Sequence, residues 1–537
     1  MWKKSRKGNI SLRQILPLLI LLLGAVLRLA ALGKVPGGLH QDEALTSWNA
    51  FALFQEGIDS DGNRFPVYVA GWGDGQSALY AWLLIPIIAL TGGGTASPFF
   101  SRLPQALVGI FTLWAVYCLM KRLFRYQTAV WSLFLLAVCP WHIMLSRWGL
   151  EANLAPGFLI FGLCFFVRGL EEKKFLLLSG FFYGLSLYCY AVIWPIVPFV
   201  LLLQVLYCLR HKKLQIDRWS LGSAGILFVM ALPLLLFLLV NSELIPEICL
   251  PFMTIPRMTG YRGGEVALQP SQMWANLRTA LSLLRRQNIG SPYDILLPWG
   301  LFYDLGRIFI VIGTGTLLWR LFCSFRSRTF AGEFILFAQL AGGGLNCLLV
   351  RAVLHQINSL YIPLVLAEAY GVWTVTRFLY ERKAVLGQLA VSAVTAGYVL
   401  CLILFQRDYY TEYRQLVGAY FTEGLKECVS FAWEQCEEKG ISTITAEKGA
   451  QWPRLLLYTE TLPSEYLASV VYDVPPAPAS FETKGIRINT RIHYDSISQD
   501  SIYILYYTDI PVFEADFELT SFQDWYVAVP RQRGQSP

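Results

Sequence analysis

Charge is scarce in this chain. Of its 537 residues 15% are charged and 55% hydrophobic, and the mean hydropathy is +0.46. Soluble domains are nearer a quarter charged, so a soluble globule is excluded and the chain reads as a polytopic membrane protein. Disulfide and metal signatures are also missing. No CxxC pair occurs, and most of the 11 cysteines (Cys118, Cys139, Cys164, Cys189, Cys208, Cys347 and Cys401 among them) lie in apolar runs, where a thiol is a small apolar side chain. Cys428 and Cys436 are eight positions apart in a predicted helix, roughly 12 Å along its axis and beyond disulfide reach. No small-residue cleavage site follows the first apolar run, 15–32, which is therefore expected to be a retained span rather than a signal peptide. The net charge of +7 does not point to nucleic acid, because the basic residues cluster between apolar runs as the positive-inside rule requires.

What the chain has in quantity is apolar stretches, recurring from 15 to 405. Each is near the ~20 helical residues that cross a hydrocarbon core of about 30 Å. Basic clusters at 3–13, 121–125, 173–174, 210–213, 320–328 and 377–383 are assigned to the cytoplasmic side, which demands an even number of crossings between neighbours. From 121 onward the runs comply: 129–145 and 152–167, 175–190 and 191–209, 221–240 and 303–319, 334–350 and 360–376, with 385–405 carrying the chain outside. Before 121 there are three candidates, 15–32, 77–91 and 103–120. The weakest, 77–91, has only 15 residues, contains Pro86 and ends at Gly92-Gly93-Gly94. It is expected to lie on the outer face as a juxtamembrane or re-entrant helix.

The expected fold class is thus an α-helical polytopic membrane protein of about 11 transmembrane helices plus a juxtamembrane helix, with a small α/β extracytoplasmic C-terminal domain. Its parts are a cytoplasmic N-terminus (1–14), a transmembrane domain (15–405) with outer loops 34–76 and 241–301, and a soluble domain (406–537). In the last, periodicity predicts helices over 420–438 and 452–458 and strands over 441–446, 486–489, 502–507 and 525–529, with a Pro-rich linker, 474–479, between halves.

This parity gathers several polar segments on one side. The loop 37–49, GGLHQDEALTSWN, places Asp42 and Glu43 directly after the first span. Either Asp42 caps a short helix with Glu43 in its first turn, where the helix dipole favours negative charge, or the pair does chemistry. In SRWGLEANLAP (146–156), Arg147 and Glu151 are four apart on one helix face, as an ion pair or as ligand contacts. Further on stand Arg351, His355 and Asn358: His355 reads as a polar anchor, while the planar fork of Arg351 suits phosphate. Tyr183, Tyr188, Tyr190 and Trp194 either line a sugar or lipid cleft or populate the membrane interface. Arg257, Arg262, Arg285 and Arg286 make the long outer loop positive, to meet an anionic head group or simply to be solvated. Carboxylates and arginines around a membrane cavity suit a lipid phosphate bearing a group to be transferred. One carboxylate takes a proton from an incoming hydroxyl, and the cations stabilise the departing phosphate.

With LHQDEA, SRWGLEANL, the short hydrophobic segment between them and an outer C-terminal domain, the chain resembles the GT-C superfamily of polyprenyl-phosphate-sugar glycosyltransferases over 15–405. Within it the chain is similar to glycosyltransferase family 39, the protein O-mannosyltransferases and aminoarabinose lipid A transferases. The resemblance implies an inverting transfer of a sugar from a polyprenyl-phosphate carrier to an outer-face acceptor, whether protein, lipid or cell-wall glycan. It implies Asp42 as general base, Glu43 supporting acceptor or sugar binding, and Glu151 orienting acceptor or donor. Aminoarabinose transferases carry Lys-Pro before the juxtamembrane helix; here that place holds Gln76-Ser77, so the phosphate contact passes to Arg147 or Arg351. No required metal is expected, because His40, Asp42 and Glu43 do not make a convincing ligand set. The rivals are a non-catalytic transporter or flippase of lipid-linked sugars, and an oligosaccharide polymerase or ligase on the same carrier. A transporter needs ionisable groups deep in its spans, and Arg28, Glu333 and Glu368 are among the few present.

Overall fold

The computed structural model describes residues 12–93, 97–258, 260, 266–287 and 291–531. Gly94, Arg262, most of the 3–13 cluster and the last six residues lie outside them. The helical part comprises α1 (Leu12–Leu29), α2 (Gln41–Gln55), α3 (Leu79–Leu90), α4 (Pro98–Leu123), α5 (Tyr126–Val138), α6 (Pro140–Leu145), α7 (Ala155–Gly169), α8 (Phe175–Leu187), α9 (Ile196–Arg210), α10 (Arg218–Asn241), α11 (Pro270–Arg286), α12 (Asp304–Ser327), α13 (Gly332–Leu349), α14 (Tyr361–Arg382) and α15 (Ala384–Tyr410). Every apolar run expected to cross coincides with a helix. Seven stretches among the described residues are long and apolar enough to cross a membrane, so this is a multi-pass membrane protein. α3, with 12 residues, rises only about 18 Å. The run 129–145 is broken where Pro140 removes a backbone donor, ending α5 at Val138 and starting α6.

Burial sorts the helices into layers. The stretch containing α7 is 89% buried and forms the centre, whereas the apolar windows of α10, α12 and α15 are 17%, 22% and 17% buried and face outward. α12 and α14 meet backbone to backbone: a Cβ on Gly313 would stand 1.8 Å from the Ala367 carbonyl oxygen, and one on Gly371 would stand 2.1 Å from that of Phe309. Small residues permit such an approach where no hydrophobic effect drives helices together. The few ionisable groups of the helices are tied. Arg28 donates to the carbonyls of Gly24, Leu136 and Ala137, Glu333 accepts from Tyr370 (2.8 Å), and Glu368 accepts from Tyr398.

Beyond the membrane part lie α16 (Glu412–Phe421), α17 (Leu425–Lys439), α18 (Trp452–Tyr458), α19 (Pro463–Ser469) and a short α20 (Ile510–Phe513). The first outer loop contributes the hairpin β1 (Tyr68–Val69) and β2 (Gln76–Ser77), and the long loop contributes β3 (Ile248–Leu250) and β4 (Met253–Ile255). The C-terminal strands are β5 (Thr443–Ala446), β6 (Val471–Val474), β7 (Ala477–Thr483), β8 (Ile486–Asn489), β9 (Ile502–Tyr506), β10 (Phe517–Phe522) and β11 (Trp525–Pro530). They form one sheet, β10-β11-β9-β5-β8-β7-β6, in which only β5 pairs in parallel, with β8 and with β9. α17 packs on it.

Three expectations need correction. The helix 420–438 is two helices, because Thr422 and Gly424 adopt positive φ (51° and 93°) and break the chain between α16 and α17. The Pro-rich 474–479 is no linker but the turn and flanks of the β6–β7 hairpin. The last membrane helix continues past the expected boundary at 406 to Tyr410.

Candidate functional site

The first outer segment folds into α2 because His40 caps it. The His40 backbone is extended (φ −64°, ψ 153°), its Nδ1 accepts from the Asp42 amide (3.3 Å), and the Glu43 carboxylate accepts from the His40 amide (2.9 Å). The cap is therefore His40, with both acids in the first turn. Successive residues on a helix project about 100° apart, so the adjacent carboxylates part company. Asp42 faces the open side, its side chain 17% exposed, while that of Glu43 is fully buried.

Glu43 holds a cage. It accepts from Arg102 Nε (2.8 Å) and Nη2 (3.0 Å) on α4, from the Gly149 amide (2.7 Å), and from the His40 amide. The remaining Arg102 donors go to the carbonyls of Leu32, Pro36 and Gly38. One buried ion pair thus ties the first loop, α4 and the turn before Glu151. Glu43, expected to touch sugar or acceptor, spends its oxygens inside the protein. Gly38 is needed here: its φ is +72°, and a Cβ would stand 2.1 Å from the Phe421 carbonyl oxygen.

Arg147 departs further from expectation. Its Nε donates to the Tyr409 hydroxyl (3.1 Å), and its terminal nitrogens donate to the carbonyls of Leu27, Arg28, Ala30, Ala31 and Val35. It closes the C-terminal end of α1, whose last carbonyls lack helical partners. No donor remains for phosphate or for Glu151. The helix-face reading of 147 and 151 fails because residues 146–150 are a turn; Glu151 opens a 3₁₀ helix, Glu151–Leu154, and is buried. Asn358 donates to the Ala152 carbonyl (2.8 Å) and so braces that 3₁₀ helix. Gln76 is buried in β2 and accepts from Thr46 (3.1 Å), and Tyr190 is buried between α8 and the 3₁₀ helix Ala191–Ile193. Of the two arginines expected at phosphate, Arg351 is the exposed one, and its side chain has no hydrogen bond or ion pair among the described residues.

The surroundings of Asp42 and His40 are walled by residues from six distant segments. Asp42 Oδ1 accepts from Trp72 Nε1 (3.0 Å) in the β1–β2 turn, and Trp72 packs edge-on to Trp452 of α18 (5.5 Å between centroids). The His40 ring lies 5.3 Å from Trp148, 5.0 Å from Tyr293 and 5.6 Å from Phe421. Next to Tyr293, Asp294 Oδ1 is 3.3 Å from His355 Nδ1, and the His355 ring stands edge-on to Trp148. His355 thus meets a carboxylate at this site. The indole nitrogens of Trp148 and Trp452 are buried and without a hydrogen-bond partner among the described residues. Such donors ordinarily carry a penalty of about 1–3 kcal/mol unless something accepts from them. Burial pushes the His40 imidazole below the ordinary histidine range against the opposing pull of Asp42, and burial raises the Tyr293 phenol. A groove of about 510 Å³, lined mostly by apolar residues (Pro292, Ile295, Leu296, Leu297, Leu416) with Glu412 and Gln415, is formed by residues flanking Tyr293 and Asp294 in sequence.

The C-terminal part completes the wall. Arg454 donates to the Leu39 carbonyl (2.8 Å) and the Tyr420 carbonyl (2.9 Å), Trp48 donates to the Thr461 carbonyl (2.9 Å), and Glu56 accepts from the Ser464 amide and hydroxyl. Sequence reading missed Arg102, Trp72, Tyr293, Asp294 and Arg454. Two carried a signal: Arg102 is a lone cation at the entry of an apolar helix, and Asp294 is the single acid between Glu265 and Asp304. Among the described residues no three His, Cys, Asp or Glu side chains converge as a metal-binding group.

Helices in the membrane, a first loop folded as a capped helix and a C-terminal layer docked on it define a GT-C-like fold, the class the sequence resembles. Residues 76–241 match the family described as dolichyl-phosphate-mannose-protein mannosyltransferase. The fold is similar to that of ArnT from Cupriavidus metallidurans, a GT-C glycosyltransferase, in its apo state (TM-score 0.53, 13% identity) and bound to undecaprenyl phosphate (TM-score 0.56, 11% identity). In both, 95% of this chain and 97% of that chain are covered. No curated protein sequence matches the chain.

Proposed function

We propose that the protein is an inverting glycosyltransferase that moves one sugar from a polyprenyl-phosphate carrier to an acceptor hydroxyl on the face of the membrane bearing the first outer loop. The observation that carries this reading is the asymmetry of the acid pair. Glu43 is consumed by a structural cage, which leaves Asp42 as a partly exposed carboxylate held by Trp72, in a site whose aromatic wall carries two unpartnered indole donors and flanks a mostly apolar groove. Asp42 removes the acceptor proton, the acceptor oxygen attacks the anomeric carbon, and the bond to the phosphate oxygen breaks to release polyprenyl phosphate. The indole donors suit sugar or phosphate oxygens, Arg351 suits the phosphate, and the groove suits the isoprenoid chain. The fold likeness to a protein bound to undecaprenyl phosphate supports the carrier class. By charge parity the N-terminus is cytoplasmic and the C-terminal part outside.

The transport reading loses support because Arg28, Glu333 and Glu368 are each engaged by neighbouring helices. We also propose that the reaction requires no divalent ion, since the Glu43 oxygens are taken up by Arg102 and the His40 and Gly149 amides; loss of transfer in EDTA, restored by one ion, would overturn this. The main test is transfer from radiolabelled polyprenyl-phosphate sugars to envelope acceptors by purified protein, with Asp42→Asn as the control. Transfer by wild type that disappears in a folded Asp42→Asn protein supports the reading; equal transfer by both removes Asp42 as base. Product size separates single-sugar transfer from polymerase or ligase chemistry.

A further inference from the structure

A second cavity, of about 650 Å³, lies at the other end of the bundle, where the ends of α4, α5, α12, α13 and α14 meet. Arg102 and Arg122 are twenty residues apart on α4, about 30 Å at 1.5 Å per residue, which is roughly one hydrocarbon thickness. The cavity therefore sits a membrane away from Asp42.

Four arginines line it, Arg122, Arg125, Arg320 and Arg377, against one acid, Glu333. Glu333 does not neutralise the cluster. It accepts from the Tyr370 hydroxyl (2.8 Å) and lies 3.6 Å from Arg320 Nη1, steadying Arg320 beside the Tyr370 and Trp373 rings (5.9 and 5.7 Å to their centroids). Arg377 is held by Glu381 (2.6 Å) and lies over the Trp373 ring, and Arg125 has no side-chain partner among the described residues. Two observations point to a bound acceptor group. The Thr128 hydroxyl, fully buried and lining the cavity, has no hydrogen-bond partner among the described residues, whereas Arg122 is paired with Glu171 (3.6 Å) and donates to the Cys118 carbonyl (3.2 Å). The N-termini of α5 and α13 also open here, and neither has a side-chain cap.

We propose that this cavity binds the phosphate head group of an anionic phospholipid in the leaflet opposite the Asp42 site. Converging guanidinium groups, an orphan hydroxyl and two uncapped helix starts suit a phosphate diester. The occupant is a lipid rather than a soluble anion because Trp319, Phe322, Phe325 and Phe378, in the same turns of α12 and α14 as the cavity's Arg320, Cys323 and Arg377, are exposed and offer acyl chains apolar contacts. Basic pockets between helix ends on the cytoplasmic side recur as head-group sites.

The test is native mass spectrometry of the full-length protein in detergent, titrated with phosphatidylglycerol or phosphatidylcholine, with and without millimolar inorganic phosphate. Wild type is expected to retain phosphatidylglycerol at least tenfold better than phosphatidylcholine, with little displacement by phosphate. Arg320→Gln/Arg377→Gln is expected to lose that preference about tenfold while eluting as wild type does; if it fails to fold, Arg125→Gln/Thr128→Val serves in its place. Equal retention of the two lipids by wild type overturns the proposal without recourse to any variant. So does an unchanged preference in a folded variant, or binding of inorganic phosphate with no preference for the anionic lipid.

Discussion

At the level of single residues, Asp42 and Glu43 are chemically alike, adjacent in sequence and opposite in situation. Asp42→Asn should lower turnover about 10²–10⁴-fold, the usual contribution of a general base, without moving the melting temperature in detergent. Glu43→Gln should do the reverse first: removing one partner of a buried ion pair costs about 3–5 kcal/mol, visible as a lowered melting temperature. Equal melting temperatures for the two variants would contradict the cage. His40 adds a pH dependence. Burial lowers its folded pKa, so between that value and the unfolded pKa of about 6.5 the unfolded chain binds a proton that the folded chain refuses. Stability is complete above that range and falls as pH drops through it, by up to about 1.4 kcal/mol per pH unit. His40→Asn keeps a capping acceptor and should flatten the melting-temperature profile between pH 7 and 5. The carboxylates were legible as a motif, but their division of labour was not, because it depends on Arg102, 59 positions away.

Among elements, the sequence was most informative where periodicity decides and least where a single residue reaches across the molecule. α18 and β8 have the expected ends, and every apolar run is helical, 129–145 as two helices, since hydrophobic length and pattern are local properties. β6, β7 and β10 were missed, and the Pro475-Pro476 turn of a hairpin passed for a linker. Arg147 illustrates the deeper limit. Nothing in SRWGLE says that its donors close the end of α1, 120 positions earlier. Helix packing yields a prediction at this scale. Gly371→Val places side-chain atoms against the α12 backbone and should cost about 1–3 kcal/mol, whereas Gly344→Val, on α13 with open space around its Cβ, should cost less. Thermal unfolding of both in the same detergent checks the contrast.

For the molecule as a whole, charge parity predicts which surfaces face which compartment. Two native cysteines are exposed, Cys249 in the loop 241–301 and Cys323 at the arginine-lined cavity, and charge parity predicts opposite compartments for them. A membrane-impermeant maleimide applied to intact cells should modify Cys249 and spare Cys323 until the membrane is opened; the reverse pattern would invert the topology and with it the placement of Asp42. Arg454 meets Leu39 although the two are 415 positions apart. Asp42 is thus among the first parts of the chain to be made, and the wall that closes the cleft beside it among the last. A ribosome-bound intermediate can insert most of its helices and still lack Trp452 and Arg454, so the nascent protein has no complete cleft around Asp42 before its C-terminal layer has been made and docked.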